Sequence, residues 1–512
     1  MKKFVHIFLL VVSVGWCEAK RPNLIFLLTD DQRADALSCA GHPFLKTPNL
    51  DQLAAEGVRF ENHYTVAPIC MPSRVSLLLG QYQRTHKVGF SGGSRQVSEA
   101  QWSQSYPTLL RNAGYYTGFI GKFGVDKYYF KGQSAEHFDF WKAHDGWSKF
   151  FPKERENTQL YKDYPSDIIT SIMGDSMEEF LEQAPEDQPF CLSVSFSAPH
   201  NSVATSMCAE GAWYMDKPAN ADPRLTEHPI YGSLYRDQEV ELPATLDGQP
   251  EKYLPTNVLD PENGRRQCYA SDYRGHECLT EHYYRYAQLI SGVDAQVGRL
   301  IAALKKKGVL DNTIILFSSD NGLLLGDYNH GGKGLLYDLT AKVPMLLYDP
   351  RLPEAQQGQV IAAPTLSVDV APTLLSYAGI EIPNTMQGEV MQPVVADASA
   401  GRESVFIESV FGLRGNPFQQ GIRDERWKYI SYYRPEKQAE EIASGKEKQR
   451  YQYSEDDLKF EGAPLYEQLF DLEKDPGETV NLAENPEYQA VLEQLRARCD
   501  DASAELNASP LN

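Results

Sequence analysis

"NLIFLLTDD", residues 23–31, is an unbroken apolar run that stops on two carboxylates. A half-exposed strand would alternate apolar with polar residues, so this run reads as a strand covered on both faces. The next stretch changes period. In "TPNLDQLAAEGVRF" (47–60), Thr47 reads as a helix cap, Pro48 as a first-turn residue, Leu50, Leu53 and Ala54 as one face, and Gly57 as the stop. Helix and strand keep exchanging: "PTLLRNAG" precedes "YYTGFIGK", and "FCLSVSFSAPH" (190–200) is again a strand. Tyr286, Leu289, Val293, Val297, Leu300 and Leu304 hold helical spacing up to Gly308, before the strands "TIILFSSD" and "VPMLLYDP". This alternation predicts an α/β fold, a largely parallel sheet sandwiched by helices.

Past residue 385 the alternation stops. "GIRDERWKYISYY" and "YEQLFDLEKD" read as antiparallel strands, and "PEYQAVLEQLRARC" as a final helix, which together predict a smaller α+β subdomain over 386–512. The charged run Glu436 to Asp457 reads as a solvated loop. Residues 205–280, rich in Pro, Asp, Tyr and Gly, read as a long surface excursion.

At the amino end, Lys2 and Lys3 precede the apolar stretch Phe4 to Val14, and Cys17-Glu18-Ala19 offers a cleavage point before Lys20. Residues 1–19 therefore read as a signal peptide, and the chain as exported, periplasmic or secreted. The apolar run is too short to span a bilayer and no later stretch is long enough, so no transmembrane segment is predicted. An acylated lipoprotein cysteine at Cys17 is the alternative, opposed by the bulk of Trp16. A net charge of −21 argues against nucleic acid as a partner, and an anionic substrate would need a local cluster of cations. Of the eight cysteines, one (Cys17) lies in the leader, leaving Cys39, Cys70, Cys191, Cys208, Cys268, Cys278 and Cys499. An odd number leaves one thiol without an internal partner, and the pairings stay open.

In open parallel sheets ligands bind beyond the carboxyl ends of the strands. Asp30 and Asp31, Lys122, His200, and Asp320 with Asn321 all fall at such ends. Asp30, Asp31, Asp320 and Asn321 offer only oxygen donors, which suit Ca²⁺ or Mg²⁺ better than zinc. In "PICMPSRVSLLLG" (68–80), Pro72 suits a first helical turn and Cys70 lies at the helix mouth beside Arg74. The helix dipole and that cation would lower the thiol pKa there, which fits a nucleophile and equally a residue set up for modification.

Cys70-Met71-Pro72-Ser73-Arg74 resembles the C-x-P-S-R signature of the type I sulfatases of the alkaline phosphatase superfamily, whose cysteine is converted to formylglycine during export. The likeness continues through "PNLIFLLTDDQ", "GK" at 121, "APH" at 198, "VDAQVGRL", "SSDNG", "GGKG" and "LFDLEKDPGETVNLA". It implies an alkaline-phosphatase-like fold with a catalytic domain over 20–385, and a formylglycine-generating enzyme as maturation partner. It also implies one Ca²⁺ held by Asp30, Asp31, Asp320 and Asn321, with residue 70 as a further ligand. Arg74, Lys122 and Lys333 would brace the aldehyde hydrate and the sulfate, and His200 would protonate the leaving alcohol. One hydroxyl of the hydrate would attack sulfur, and the other would let the sulfated adduct collapse and expel sulfate, an exit that serine or unmodified cysteine lacks. The expected substrate is a sulfate ester of a carbohydrate or glycosaminoglycan. Alternatives are a phosphonate or phosphate ester hydrolase of the same superfamily, and a non-catalytic glycan-binding protein on the same scaffold.

Two positions depart from the family pattern. Many members carry a histidine two residues after the lysine of "GK", where this chain has Gly124; His86 is a candidate replacement base, with a surface-loop reading beside it. Gln81 stands where an arginine commonly follows the signature glycine. The aromatic stretch "HFDFWKAHDGWSKFF" (137–151) could stack on sugar rings or fill core.

Overall fold

In the computed structural model the opening run is strand β1 (Asn23–Thr29), buried along its whole length. Its alternate residues enter different cores: Leu24, Phe26 and Leu28 one, Ile25 and Leu27 the other. That is why the run carries no polar alternation. The structure describes residues 20–90, 96–125, 134–144, 146, 148–154, 160–200, 227–263, 266, 275–412, 415–445, 454, 456–460 and 462–508. Residues 1–19 with Cys17, as well as Cys208 and Cys268, lie outside the described residues.

β1 lies inside an eight-stranded sheet of order β11-β2-β10-β7-β1-β6-β4-β5. The other members are β2 (Val58–Phe60), β4 (Tyr116–Lys122), β5 (Phe140–His144), β6 (Phe190–Ser195), β7 (Thr313–Ser319), β10 (Met345–Tyr348) and β11 (Gln359–Ile361). Among them β10, the strand of "VPMLLYDP", is antiparallel to both its neighbours, so the sheet is mostly rather than wholly parallel. The link from β7 to β10 carries the β8 (Leu324–Leu325) and β9 (Gly331–Gly332) hairpin, a 3-10 turn at Asp327–Asn329 and the short helix Asp338–Ala341, not the long helical crossover a parallel pair needs. A separate two-stranded parallel sheet pairs β3 (His63–Tyr64) with β12 (Thr365–Leu366).

Helices Pro48–Glu56, Ile169–Gln183 and Gly275–Lys307 cover one face, where Leu289, Val293, Val297, Leu300 and Leu304 are fully buried, as their spacing predicts. Helices Cys70–Leu79, Tyr106–Asn112 and Val370–Tyr377 cover the other. Among the described residues no helix is long and apolar enough to cross a membrane.

The carboxyl-terminal part builds an antiparallel sheet, β13 (Ser404–Ser409), β14 (Phe418–Asp424), β15 (Trp427–Tyr433) and β16 (Tyr466–Asp471). Helix Gln489–Asn507 lays Leu492, Leu495 and Cys499 in the cluster with Ile422, Ile430 and Leu469. Part of the run read as a solvated loop is instead helix Glu436–Ala443, with Gln438 buried and its amide bonded to Asn416 O. Phe138, Phe140, Phe150 and Phe151 of the aromatic stretch are buried in the two main cores, so they are core and not a sugar platform; Trp147 lies outside the described residues. Among the described residues Cys39, Cys70, Cys191 and Cys499 make no disulfide.

The two parts are joined by a buried ion pair. The guanidinium of Arg84, just beyond the helix Cys70–Leu79, pairs with Glu408 of β13 and also donates to Ser503 Oγ of the last helix at 2.7 Å. Removing one partner of such a pair leaves the other charged and dry. Glu408→Ala is expected to lose about 3–5 kcal/mol of stability, read from the denaturant midpoint, while a paired replacement by apolar residues should lose far less.

Candidate active site

β7, β1, β6 and β4 are neighbours in the middle of the sheet, so residues beyond their carboxyl ends converge. Asp30 and Asp31 continue β1, Lys122 ends β4, His200 follows β6 after a short turn, and Asp320 and Asn321 continue β7. Two backbone bonds carry the ladder past the strands: Asp30 N donates to Ala198 O and Asp320 N to Thr29 O, both at 3.1 Å. At Asp31 the backbone turns into the left-handed region, φ 73°. Such a conformation costs a non-glycine residue about 1–3 kcal/mol and persists only where the surroundings impose it. Here Asp31 N donates to Asp320 Oδ1 (3.2 Å) and Tyr286 Oη donates to Asp31 O (2.8 Å). The turn lets two successive carboxylates serve one cation: Lys333 Nζ contacts Asp31 Oδ1 and lies 3.6 Å from Asp30 Oδ1.

The helix Cys70–Leu79, buried throughout and ended by Gly80 at φ 63°, points its mouth into this cluster. Cys70 Sγ receives a hydrogen bond from Lys333 Nζ at 2.7 Å and lies 3.6 Å from Asp30 Oδ1. One turn on, Arg74 Nε donates to Asp320 Oδ2 (2.9 Å), its Nη2 lies 3.2 Å from Asp30 Oδ2, and its Nη1 bonds Lys122 O (2.8 Å) and Ser195 Oγ. Lys122 Nζ pairs with Asp30 Oδ2, and His200 Nε2 is 3.7 Å from Asp31 Oδ2. All nine residues singled out from the sequence therefore meet in one contact network. Ser195 and Tyr286, which hold Arg74 and Asp31, were not legible beforehand, because a serine inside a strand and a tyrosine on a helical face carry no mark of the site.

Burial alone would raise the carboxyl of Asp30, but the charges of Lys122, His200, Lys333 and Arg74 outweigh it and hold Asp30 well below the usual range. Asp31 and Asp320 are raised, by burial first, with Asp30 adding to it. Burial would lower Lys333, yet Asp31, Cys70 and Asp30 keep it firmly charged. Burial, then Lys333 and Lys122, push His200 down to about 3. The thiol corrects an expectation: burial and the Asp30 charge push Cys70 up to about 12, outweighing the charges of Lys122 and Lys333. As a plain cysteine it would be a protonated thiol and a poor nucleophile.

Ligand atoms of Asp30, Asp31, Cys70 and His200 all lie within 4.8 Å of one another, a group that could hold a metal ion. Beside it the Oδ1 of fully buried Asn321 has no hydrogen-bond partner, although its Nδ2 donates to Asp31 Oδ1 at 2.6 Å. An orphaned amide oxygen among carboxylates suits a hard cation, so the residues present fit such an ion. Asp320 is not among those converging atoms; its carboxylate is engaged by Arg74.

The departures from the family pattern also have physical places. Gly124 has φ 71°, and a Cβ there would sit 2.4 Å from Arg74 Cδ. No side chain fits position 124 while Arg74 keeps its seat. Gly124→Ala is expected to displace that guanidinium and lower kcat/KM on an aryl sulfate by about 10²-fold, and an unchanged value would show that Arg74 has room to spare. His86 does not replace the missing histidine. It is buried, accepts from Val88 N at Nδ1 (3.1 Å) and meets Ser76 Oγ of the helix that carries Cys70 at Nε2 (3.0 Å), so both nitrogens are engaged away from the site. Gln81 donates to Thr385 O at 3.1 Å.

The sulfatase family model matches residues 22–380, and that of the N-sulphoglucosamine sulphohydrolase carboxyl-terminal region matches 326–453. An N-acetylglucosamine-6-O-sulfatase of Bacteroides thetaiotaomicron is 29% identical over 461 residues, covering 81% of this chain and 79% of the relative. A structure solved in complex with its substrate D-glucosamine-2-N,6-O-disulfate superposes with a TM-score of 0.69 at 23% identity, over 96% of this chain and 100% of the other. The phosphonate monoester hydrolase of Agrobacterium radiobacter does so at 0.70 and 23%, over 95% and 96%. These two share the fold, in keeping with the alkaline-phosphatase-like architecture. With the family model covering more than half its length and the signature cysteine set at the mouth of a buried helix among strand-end carboxylates and cations, this chain belongs to the sulfatase family, the sulfuric ester hydrolases.

Proposed function

We propose that this protein is an exported, calcium-dependent sulfatase acting on a sulfated carbohydrate through a formylglycine made from Cys70. The observation that carries the reading is the setting of Cys70: its Sγ lies 2.7 Å from Lys333 Nζ and 3.6 Å from an Asp30 carboxylate that also meets Arg74 and Lys122. Three buried cations around one reacting position suit an anionic group whose charge spreads over several oxygens as a bond to sulfur breaks.

Each residue then has a task. Asp30, Asp31, Asp320 and Asn321 would hold Ca²⁺, which when bound supplies positive charge to the sulfate oxygens and to residue 70. The hydrated aldehyde of a matured residue 70 supplies one hydroxyl to attack sulfur and a second whose deprotonation expels sulfate and restores the aldehyde. Arg74 holds Asp320 and Asp30 in register; Lys122 and Lys333, both anchored on the aspartates, face the sulfate. His200, partly open to solvent where the others are buried, meets the departing oxygen. The catalytic unit is assigned to 20–385 and the smaller subdomain to 386–512. A sulfated sugar is supported by the relatives, one named an N-acetylglucosamine-6-O-sulfatase. Residues 1–19 direct export, and a formylglycine-generating enzyme is the maturation partner.

The test is sulfate release by protein matured with such an enzyme, from a panel led by glucosamine sulfates, with aryl sulfate and aryl phosphonate beside them. Release from a sugar sulfate, lost on chelation, restored by Ca²⁺ and absent with Asp320→Ala, is the expected pattern. Faster turnover of the phosphonate would assign the site to phosphorus esters. Stoichiometric zinc in active protein would overturn the calcium assignment, and a fully matured protein that binds sulfated glycans without cleaving them would be a binding protein.

A further inference from the structure

The sheet places a second histidine beside the site. His144, the last residue of β5, is the register partner of Lys122 across a parallel pair, so the two side chains leave the same face of the sheet. His144 is buried, 3% exposed. Its Nδ1 is 2.8 Å from Tyr161 Oη, and that hydroxyl spends its only proton on Lys142 O at 3.1 Å. Tyr161 must therefore accept from His144, which fixes the proton on Nδ1 and leaves the Nε2 lone pair free to accept. That lone pair faces Ser197 Oγ at 3.4 Å, so the serine hydroxyl is the donor.

Ser197 opens the turn that delivers His200: His200 N donates to Ser197 O at 3.1 Å, and Asp30 N to Ala198 O at 3.1 Å. The turn is thus tied by its backbone to the carboxylate strand and by the Ser197 side chain to His144. Burial, together with Lys122 and Arg74, pushes His144 down to about 3, so it stays a neutral acceptor beside those cations.

We propose that His144 is a positioning residue, which with Tyr161 behind it and Ser197 before it aims His200 at the departing oxygen. This rests on the sulfatase reading of the site, and it assigns no proton transfer to His144 itself. A side chain at position 124 would collide with Arg74, so support for the His200 turn comes from the neighbouring strand. Loss of the link should matter most where the leaving oxygen needs its proton.

The test compares kcat and KM of Ser197→Ala, His144→Ala and His144→Gln on a sugar or alkyl sulfate and on nitrophenyl sulfate, with formylglycine and metal content measured for each. Ser197→Ala, the smallest change, should lower kcat about tenfold on the sugar or alkyl ester and hardly at all on the nitrophenyl ester, with KM nearly unchanged. His144→Ala should do the same, the double variant should add little, and His144→Gln, whose amide oxygen can take the Ser197 hydrogen bond, should recover much of the rate. Equal losses on both leaving groups, or full activity of Ser197→Ala on the sugar sulfate, would overturn the proposal. Should His144→Ala fail to fold, Ser197→Ala decides alone. A matured wild-type enzyme that releases no sulfate would bring down the sulfatase reading, and this proposal with it.

Discussion

Cys70→Ala is expected to slow turnover of every sulfate ester by roughly 10⁴-fold or more, whatever the leaving group, while the protein stays folded. The residue at 70 is asked to form the bond to sulfur, and no other nucleophile in the network can do so. Asp30, Asp31 and Asp320 are engaged by cations, and Lys333 is held charged. The thiol itself, pushed to about 12, would be almost entirely protonated at neutral pH, so plain cysteine should be nearly as inert as alanine. Mass spectrometry of the peptide spanning residue 70 from active protein should show loss of thiol mass and gain of an aldehyde. Full activity in protein carrying only unmodified cysteine would sink the mechanism.

His200→Ala is expected to cost about 10² to 10⁴-fold on a sugar sulfate and much less on an aryl sulfate with an acidic phenol. A sugar alkoxide departs poorly without a proton, whereas an activated phenolate needs little help. His200 is neutral when the pocket holds only its own charges, because burial and the two lysines disfavour the imidazolium. An incoming sulfate charge about 4 Å away contributes about 4 kcal/mol at an effective dielectric of 20, close to a thousandfold gain in proton affinity. The substrate would thus bring His200 toward the protonation its role requires. Arg74→Ala should harm both substrates alike, since Arg74 holds Asp30 and Asp320 and makes no contact with His200 among its described bonds. Equal losses for His200→Ala across leaving groups would move the acid to Lys333.

Much of this could be read from residue types and periods. The strand of 23–29 was legible because burial on both faces forbids polar alternation, and the helix Pro48–Glu56 because proline, an apolar face and glycine mark its start, side and stop. The strand-end carboxylates, Lys122 and His200 were legible because a parallel sheet points all its carboxyl ends one way. Lys333 is different: it follows the β8–β9 hairpin and came only through the family likeness, since no period marks it.

The sequence by itself determined the layered α/β class, the strand-end polar residues and the signature helix, because these depend on local periodicity and on residues adjacent in the chain. Tertiary structure alone decided three other things. The Cys70 thiol is raised rather than lowered, because dehydration and the Asp30 charge outweigh Lys122 and Lys333, groups that only folding brings beside it. The first turn of Pro48–Glu56 is capped not by the side chain of Thr47 but by Asp294, whose carboxylate accepts from Asn49 N and Leu50 N. The strand β10 runs against its neighbours, and His86, the candidate base by nearness in the chain, contacts a helix residue instead, while His144 faces the turn that carries His200. The common reason is that fields, caps and strand directions are set by groups far apart in the chain, and only folding brings them within a few ångströms.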